Sequence, residues 1–153
     1  MKRIALTLLL GVALPALADR LPLPTDTPAS YAAECGSCHL AYPPALLAAG
    51  DWRRIMSSLD DHFGTDAAVD AQKRQEISTF LEHHAGNAGK LGSAGDPPRI
   101  SATARFVRKH REVPTKLWHD PRVKSAANCE ACHRGAADGN YSEHDITIRE
   151  LKR

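Results

Sequence analysis

The feature that most constrains this chain is the motif Cys-x-x-Cys-His, which occurs twice. It is CGSCH at 35–39 and CEACH at 129–133, and the two copies contain all 4 cysteines of the 153-residue sequence. On a helix, positions i, i+3 and i+4 share one face, so both sulfurs and the imidazole would point towards one object. Two thiols followed directly by a histidine are the sequence signature of c-type haem attachment. The sequence therefore predicts two haem c groups.

The motifs also assign the residues that hold each haem. The predicted thioether-forming residues are Cys35, Cys38, Cys129 and Cys132, and the predicted proximal iron ligands are His39 and His133. Both sets come from the motif alone, because the histidine that follows the second cysteine supplies an axial nitrogen to the iron.

Three other uses of paired cysteines fit the sequence less well. Zinc modules usually keep their cysteine pairs close together, whereas about 90 residues separate these two pairs. A dithiol oxidoreductase of the thioredoxin type would need a βαβ pattern around its CxxC, and neither pair has one. Structural disulfides would not require a histidine after each second cysteine.

The first 18 residues have the pattern of a secretory signal peptide. Lys2 and Arg3 precede an apolar run that begins at Ile4, and Ala16 and Ala18 form an A-x-A cleavage site. The apolar run is shorter than the about 20 residues that a membrane-spanning helix needs. We therefore predict cleavage after Ala18, a periplasmic location and no stable insertion into the membrane.

Charge and composition narrow the function further. Removing residues 1–18 takes away Lys2 and Arg3, so 18 of the 20 basic residues remain beside 18 acidic ones. A formally neutral mature chain has no basic surplus for binding nucleic acid. The chain has only 2 Trp, 3 Tyr and 3 Phe residues. With so few large apolar side chains, the haems are expected to form much of the core.

Hydrophobic periodicity predicts an all-α fold. The apolar residues recur at helical spacing in several segments, and no segment alternates as a strand would. Segment 86–98 is rich in glycine and proline, so it is predicted to be a linker, and the tail from 141 is predicted to be mostly irregular. The predicted helices cover 27–39, 51–63, 71–85, 99–110 and 125–135.

The second axial ligand of the first haem has three candidates. After residue 18 the chain has one methionine, Met56, so at most one haem can have the His/Met ligation that raises reduction potential. Met56 lies within an apolar stripe, where methionine more often fills a core. His62 lies at the edge of the same stripe, and His84 lies on the apolar face of the next helix. These residues leave the choice open.

For the second haem, the best candidate for the distal ligand is His110. It follows Phe106 and Val107 at i+4 and i+3, so a helix would present all three to one apolar pocket. His119 and His144 have polar neighbours and are expected to face water.

Longer runs around these histidines are more specific than CxxCH itself. They are ECGSCHLAYPPALL, DHFG, FVRKHREVP and VKSAANCEACHRGAADGNYSE. In these runs, and over nearly the whole mature chain, the sequence resembles the dihaem cytochrome c family of bacterial periplasms. The resemblance implies a cytochrome-c-like N-terminal domain at 19–85 and a less regular C-terminal haem domain at 99–153. It also implies two bis-histidine irons, with His62 and His110 as the distal ligands.

Two closed irons leave no site for oxygen or peroxide, so the sequence predicts an electron carrier and not an enzyme. The resemblance implies redox-protein partners such as a small oxygen-binding monohaem cytochrome or a membrane cytochrome b. The alternative is a haem enzyme or gas sensor in which one iron is five-coordinate, as in a peroxidase.

Overall fold

The structure, a computed structural model, describes residues 19–148, so the predicted signal peptide lies outside the described residues. Within this range the regular secondary structure is helical, and the only β-type pairings are isolated bridges. The all-α fold class is therefore confirmed. The α-helices are α1 (Ala29–Cys35), α2 (Ala49–Met56), α3 (Ala71–His83), α4 (Ala88–Leu91), α5 (Ala104–Lys109) and α6 (Thr115–Trp118). Short 3-10 helices lie at Pro44–Leu46, Leu59–Asp61, Ile100–Ala102, Cys129–Ala131, Ala136–Asp138 and Glu143–Asp145.

The longest helix, α3, organises the N-terminal half of the molecule. Asp70 caps it by accepting a hydrogen bond of 2.9 Å from the backbone nitrogen of Lys73. The apolar face predicted from the sequence is buried against α1 and α2. The resulting core contains Tyr31, Leu47, Trp52, Met56, Ile77, Phe80, Leu81 and Ala94. Trp52 is fixed within it because its indole nitrogen donates a 2.7 Å hydrogen bond to the Pro44 carbonyl.

This core makes a testable prediction about stability. Ile77 is 1% exposed, so Ile77→Ala should lower the free energy of unfolding by about 2–5 kcal/mol through lost burial and an unfilled cavity. Val107 is 58% exposed, and Val107→Ala should change the same quantity by no more than about 0.5 kcal/mol. Chemical denaturation of the two holoproteins measures both values. Equal losses in the two variants would contradict this account of the core.

The C-terminal half has shorter helices and a smaller core. Leu117, Val123 and Ile148 form its buried centre. Ala131 and Cys132 pack against this centre, so the second cysteine motif lies beside it. The small size of this cluster leaves room for a bound group to supply apolar contacts that the side chains do not.

The first described residues run along the C-terminal half. Leu21 donates a 2.7 Å backbone hydrogen bond to Gly139, and Tyr141 donates one of 2.9 Å to Asp19. Gly139 has a φ of 69°, and a Cβ there would come within 2.4 Å of the Pro22 backbone, so only glycine fits. Residues 19–22 are therefore packed against residues 139–141.

Four predicted helices were wrong in extent. The second, predicted at 51–63, ends as an α-helix at Met56, and the fourth, predicted at 99–110, begins as one at Ala104. The first ends at Cys35 and not at 39, because Gly36 follows, and the CxxCH residues after Cys35 form a turn. The helix predicted at 125–135 is only the 3-10 helix Cys129–Ala131. Here Ser125 accepts a hydrogen bond from the Ala127 nitrogen, and the Asn128 side chain donates one to the backbone of Val123. Such local side-chain bonds compete with helix formation.

The segment predicted as a linker, 86–98, is packed. It contains α4, and both Leu91 and Ala94 are buried. Gly86 donates a 2.8 Å hydrogen bond to the Leu47 carbonyl, and a Cβ at Gly86 would meet the Ala45 carbonyl oxygen. This segment therefore packs against the N-terminal core, while the division into domains at 19–85 and 99–153 stays a prediction.

Candidate haem sites

The first site contains Cys35, Cys38, His39 and His62. His39 follows the turn after α1, and His62 follows the 3-10 helix Leu59–Asp61. The centroids of the two imidazole rings are 6.2 Å apart, and the ring planes differ by 28°. Residues 23 positions apart in sequence are thus brought close together, with a narrow gap between their rings.

Hydrogen bonding and burial prepare both rings of the first site to bind a metal. The Nδ1 atom of His39 lies 2.7 Å from the Leu40 carbonyl oxygen. A carbonyl oxygen can only accept, so Nδ1 carries the proton and Nε2 keeps its lone pair. Burial lowers the pKa of His62, and the nearby His39 and Arg99 lower it further. The neutral imidazole that results is the form that coordinates a metal.

The second site contains Cys129, Cys132, His133 and His110. The centroids of the His110 and His133 rings are 6.1 Å apart, and their planes are perpendicular, at 90°. The Nδ1 atom of His110 donates a 2.9 Å hydrogen bond to the Phe106 carbonyl, which leaves its Nε2 unprotonated. Burial lowers the pKa of both His110 and His133, so both rings are held in the neutral form.

The separation within each histidine pair fits one metal ion between two imidazoles. A zinc–imidazole bond is about 2.0–2.1 Å long, and an iron–imidazole bond is of similar length. The centre of an imidazole ring lies about 1.1 Å beyond its nitrogen. Two imidazoles on opposite sides of one iron therefore have their ring centroids about 6.2 Å apart. The observed distances are 6.2 Å and 6.1 Å. The two ring pairs therefore have the spacing that a haem iron with two axial histidines requires.

The four cysteine thiols are free of disulfides, and three of them have the wrong electrostatics for dithiol redox chemistry. Burial raises the pKa of Cys35 to about 11 and that of Cys129 to about 11, and it also raises the pKa of Cys132. Redox-active CxxC motifs instead lower the pKa of the attacking thiol. Cys35 packs on the N-terminal core and Cys132 on the C-terminal one, so a group bound by these thiols lies beside apolar side chains.

The rival ligands for the first iron have other partners. Met56 is buried in the N-terminal core, packed among apolar side chains. His84 forms a 2.9 Å contact with the carboxylate of Asp26, and its ring packs on Phe80. The remaining candidates for the second iron, His119 and His144, are exposed as predicted.

Sequence reasoning missed a cation beside the first site. The guanidinium of Arg99 lies 4.0 Å from the centre of the Phe63 ring, next to His62. Arg99 is 37 positions away from His62 in sequence, and no motif linked the two. A positive charge here would favour the reduced state of an iron bound by His62.

Comparison with known proteins settles the family. A family model described as dihaem cytochrome c matches residues 31–141, which include both cysteine motifs and all four histidines of the two sites. The chain belongs to the dihaem cytochrome c family. As a dihaem cytochrome c it binds two haem c groups and acts as a haem-binding electron carrier. Two haems account for the four free thiols.

Solved structures of dihaem cytochromes c share this fold. The chain is 39% identical to a dihaem cytochrome c from Shewanella baltica OS155, with a TM-score of 0.70 over 82% of this chain and 95% of that chain. Two structures from Rhodobacter sphaeroides are 39% and 36% identical, with TM-scores of 0.66 and 0.67. They cover 77% and 75% of this chain, and 98% and 97% of their own chains. A comparison with functionally curated proteins gives no match.

Proposed function

We propose that this dihaem cytochrome c is a periplasmic electron carrier in which both irons have two histidine ligands. His39 and His62 coordinate the first iron, and His133 and His110 coordinate the second. The observation that carries the proposal is that each motif histidine faces a second histidine at a distance that one iron bridges. An iron with both axial positions filled cannot bind oxygen or peroxide, so this ligation fits electron transfer and not an oxygen or peroxide reaction.

Each haem supplies an iron that changes oxidation state by one electron, and the chain holds that iron in a closed environment. The backbone carbonyls of Leu40 and Phe106 fix the tautomers of His39 and His110, which keeps the lone pair of each Nε2 aimed away from the backbone. Burial keeps His62, His110 and His133 neutral. The protein's own groups therefore hold the histidine ligands in the same position and protonation state in both oxidation states of the iron. Electron transfer then needs little rearrangement of these side chains.

The two sites differ in ring geometry, and this predicts two different electron paramagnetic resonance signals from the oxidised protein. When two imidazole planes are nearly parallel, both donate into the same iron d orbital and split the π-type orbitals widely. Perpendicular planes leave these orbitals close in energy and make the signal much more anisotropic. With ring planes at 28° and 90°, the first haem should give a rhombic low-spin signal and the second a highly anisotropic one.

The same spectrum tests the ligation directly. A high-spin ferric signal equal to one haem per chain would contradict two bis-histidine irons. Incubation of the protein with hydrogen peroxide and an excess of an artificial electron donor provides the functional counterpart: a carrier with closed irons is expected to show no catalytic turnover. Sustained peroxide consumption would favour the peroxidase-like alternative.

The location and the partners are part of the proposal. Export to the periplasm is supported by the leader pattern at 1–18 and by c-type haem attachment itself. None of the helices within residues 19–148 is long and apolar enough to cross a membrane. As redox partners we propose the classes that the family resemblance implies, a small oxygen-binding monohaem cytochrome or a membrane cytochrome b.

A further inference from the structure

All 3 tyrosines of the chain lie near the cysteine motifs, and two of them contact a proximal histidine. The Tyr42 ring lies 4.8 Å from the ring of His39, with the planes 22° apart. The Tyr141 ring lies 5.6 Å from that of His133. Tyr42 belongs to the CHLAYPP run, in which the attachment motif explains Cys38 and His39 but not the tyrosine.

Tyr42 is anchored to the N-terminal core. Its backbone carbonyl accepts a 2.5 Å hydrogen bond from the hydroxyl of Tyr31, which is almost completely buried. Tyr31 in turn packs on Phe80 of α3, with the ring centres 5.1 Å apart. The Tyr42 ring is therefore held against His39 from a rigid part of the structure.

The other end of Tyr42 reaches the second haem site. Its hydroxyl donates a 2.6 Å hydrogen bond to the carbonyl of Ala127, a residue 85 positions away. The same carbonyl accepts the backbone nitrogen of Cys129 at 3.0 Å, and the Cys129 sulfur lies 3.6 Å from it. An open groove of about 390 Å³ is lined by residues 36–41 of the first motif region and by Glu130 of the second motif. One side chain thus touches an iron ligand of the first site and the backbone next to the attachment point of the second.

We propose that Tyr42 is a positioning residue that fixes the distance between the two haems and the orientation of the His39 ring. The proposal rests on the proposed function for the role of His39 as an iron ligand. The hydrogen bond of the phenol joins two parts of the chain that are 85 positions apart in sequence, one beside each cysteine motif. Because electron transfer weakens steeply with distance, a fixed separation keeps exchange between the haems uniform from molecule to molecule.

The experiment compares the iron–iron distance in oxidised, frozen holoproteins by pulsed dipolar electron paramagnetic resonance. Tyr42→Phe keeps the ring but removes the hydrogen-bond donor. Tyr141→Phe is the matched control, because the Tyr141 hydroxyl is buried and has no hydrogen-bond partner among the described residues. Losing one hydrogen bond of about 1 kcal/mol should raise the fraction of molecules outside the main distance peak about fivefold in Tyr42→Phe. In the same variant the signal of the first haem should broaden, while that of the second haem stays unchanged.

A Tyr42→Phe distance distribution identical to that of the wild type would overturn the proposal. If Tyr42→Phe does not accumulate with two haems, a second variant with 4-aminophenylalanine at position 42 is used. This side chain restores a hydrogen-bond donor and so tests whether the lost donor is the cause. Recovery of two haems and of the narrow distribution supports the proposal, and failure to recover contradicts it. This result is separate from the proposed function: carbon monoxide binding to the wild type would refute closed irons, whereas the distance depends on haem attachment at the cysteine motifs and not on the sixth ligand.

Discussion

Replacing His62 with alanine is expected to open the first iron and leave the second unchanged. The reduced wild-type protein should bind no carbon monoxide, and reduced His62→Ala should bind one molecule per chain. The physical reason is that alanine cannot replace the imidazole that faces His39 at 6.2 Å, so one axial position becomes free. A carbon monoxide titration followed at the Soret band measures the stoichiometry.

The same change at His110 should open the second iron. The two variants should lose different low-spin signals, the rhombic one in His62→Ala and the highly anisotropic one in His110→Ala. His84→Ala is the control, since His84 contacts Asp26 and should alter neither haem. A His62→Ala protein that remains six-coordinate at both irons, with unchanged potentials, would show that another residue is the distal ligand.

Removing the cysteines of one motif should remove one covalent haem. The double variant Cys129→Ala, Cys132→Ala should carry one covalently bound haem in place of two, because the chain has only 4 cysteines and each thioether needs its own sulfur. The loss should also destabilise the C-terminal half, whose core is small and packs against Cys132. The matching variant Cys35→Ala, Cys38→Ala should lose the other haem.

Denaturing mass spectrometry counts the covalent haems in these variants. The electron paramagnetic resonance signal shows which haem remains. It should be rhombic when Cys35 and Cys38 are intact and highly anisotropic when Cys129 and Cys132 are intact. Two covalent haems in either double variant would contradict the attachment sites.

The parts of the fold that the sequence predicted well depend on local patterns. Helix α3 has an N-cap at Asp70 and apolar residues at regular helical spacing, so its start and its buried face follow from residues within one segment. The CxxCH motifs are local in the same sense, because the two cysteines and the histidine that haem attachment needs lie within five consecutive positions.

The failures also have local causes. The segment 125–135 contains Ser125 and Asn128, which would be good helix caps, but their side chains bond to nearby backbone and hold turns instead. Val107 was predicted to share an apolar face with Phe106 and His110, yet it is exposed while the His110 ring stacks on Phe106. A six-residue helix buries too few positions for periodicity to assign its inner face.

Hydrophobic periodicity does not predict contacts between residues that are far apart in sequence. Among Met56, His62 and His84 the residues left the choice open, since each lies on or beside an apolar stripe, and only the fold brings the His62 ring close to His39. The contact between Tyr42 and Ala127, and the position of Arg99 beside Phe63, likewise come from the path of the chain in space. The run LAYPP contains Tyr42 and indicated the protein family, but it did not indicate a role for the tyrosine.

The central claim, that both irons are closed and serve electron transfer, is tested most directly by adding carbon monoxide to the reduced wild-type holoprotein. The Soret bands of both haems should stay unchanged, because His62 and His110 occupy the positions that carbon monoxide would take. A prompt shift of the Soret band, corresponding to one carbon monoxide per chain, would show an open iron and contradict the account.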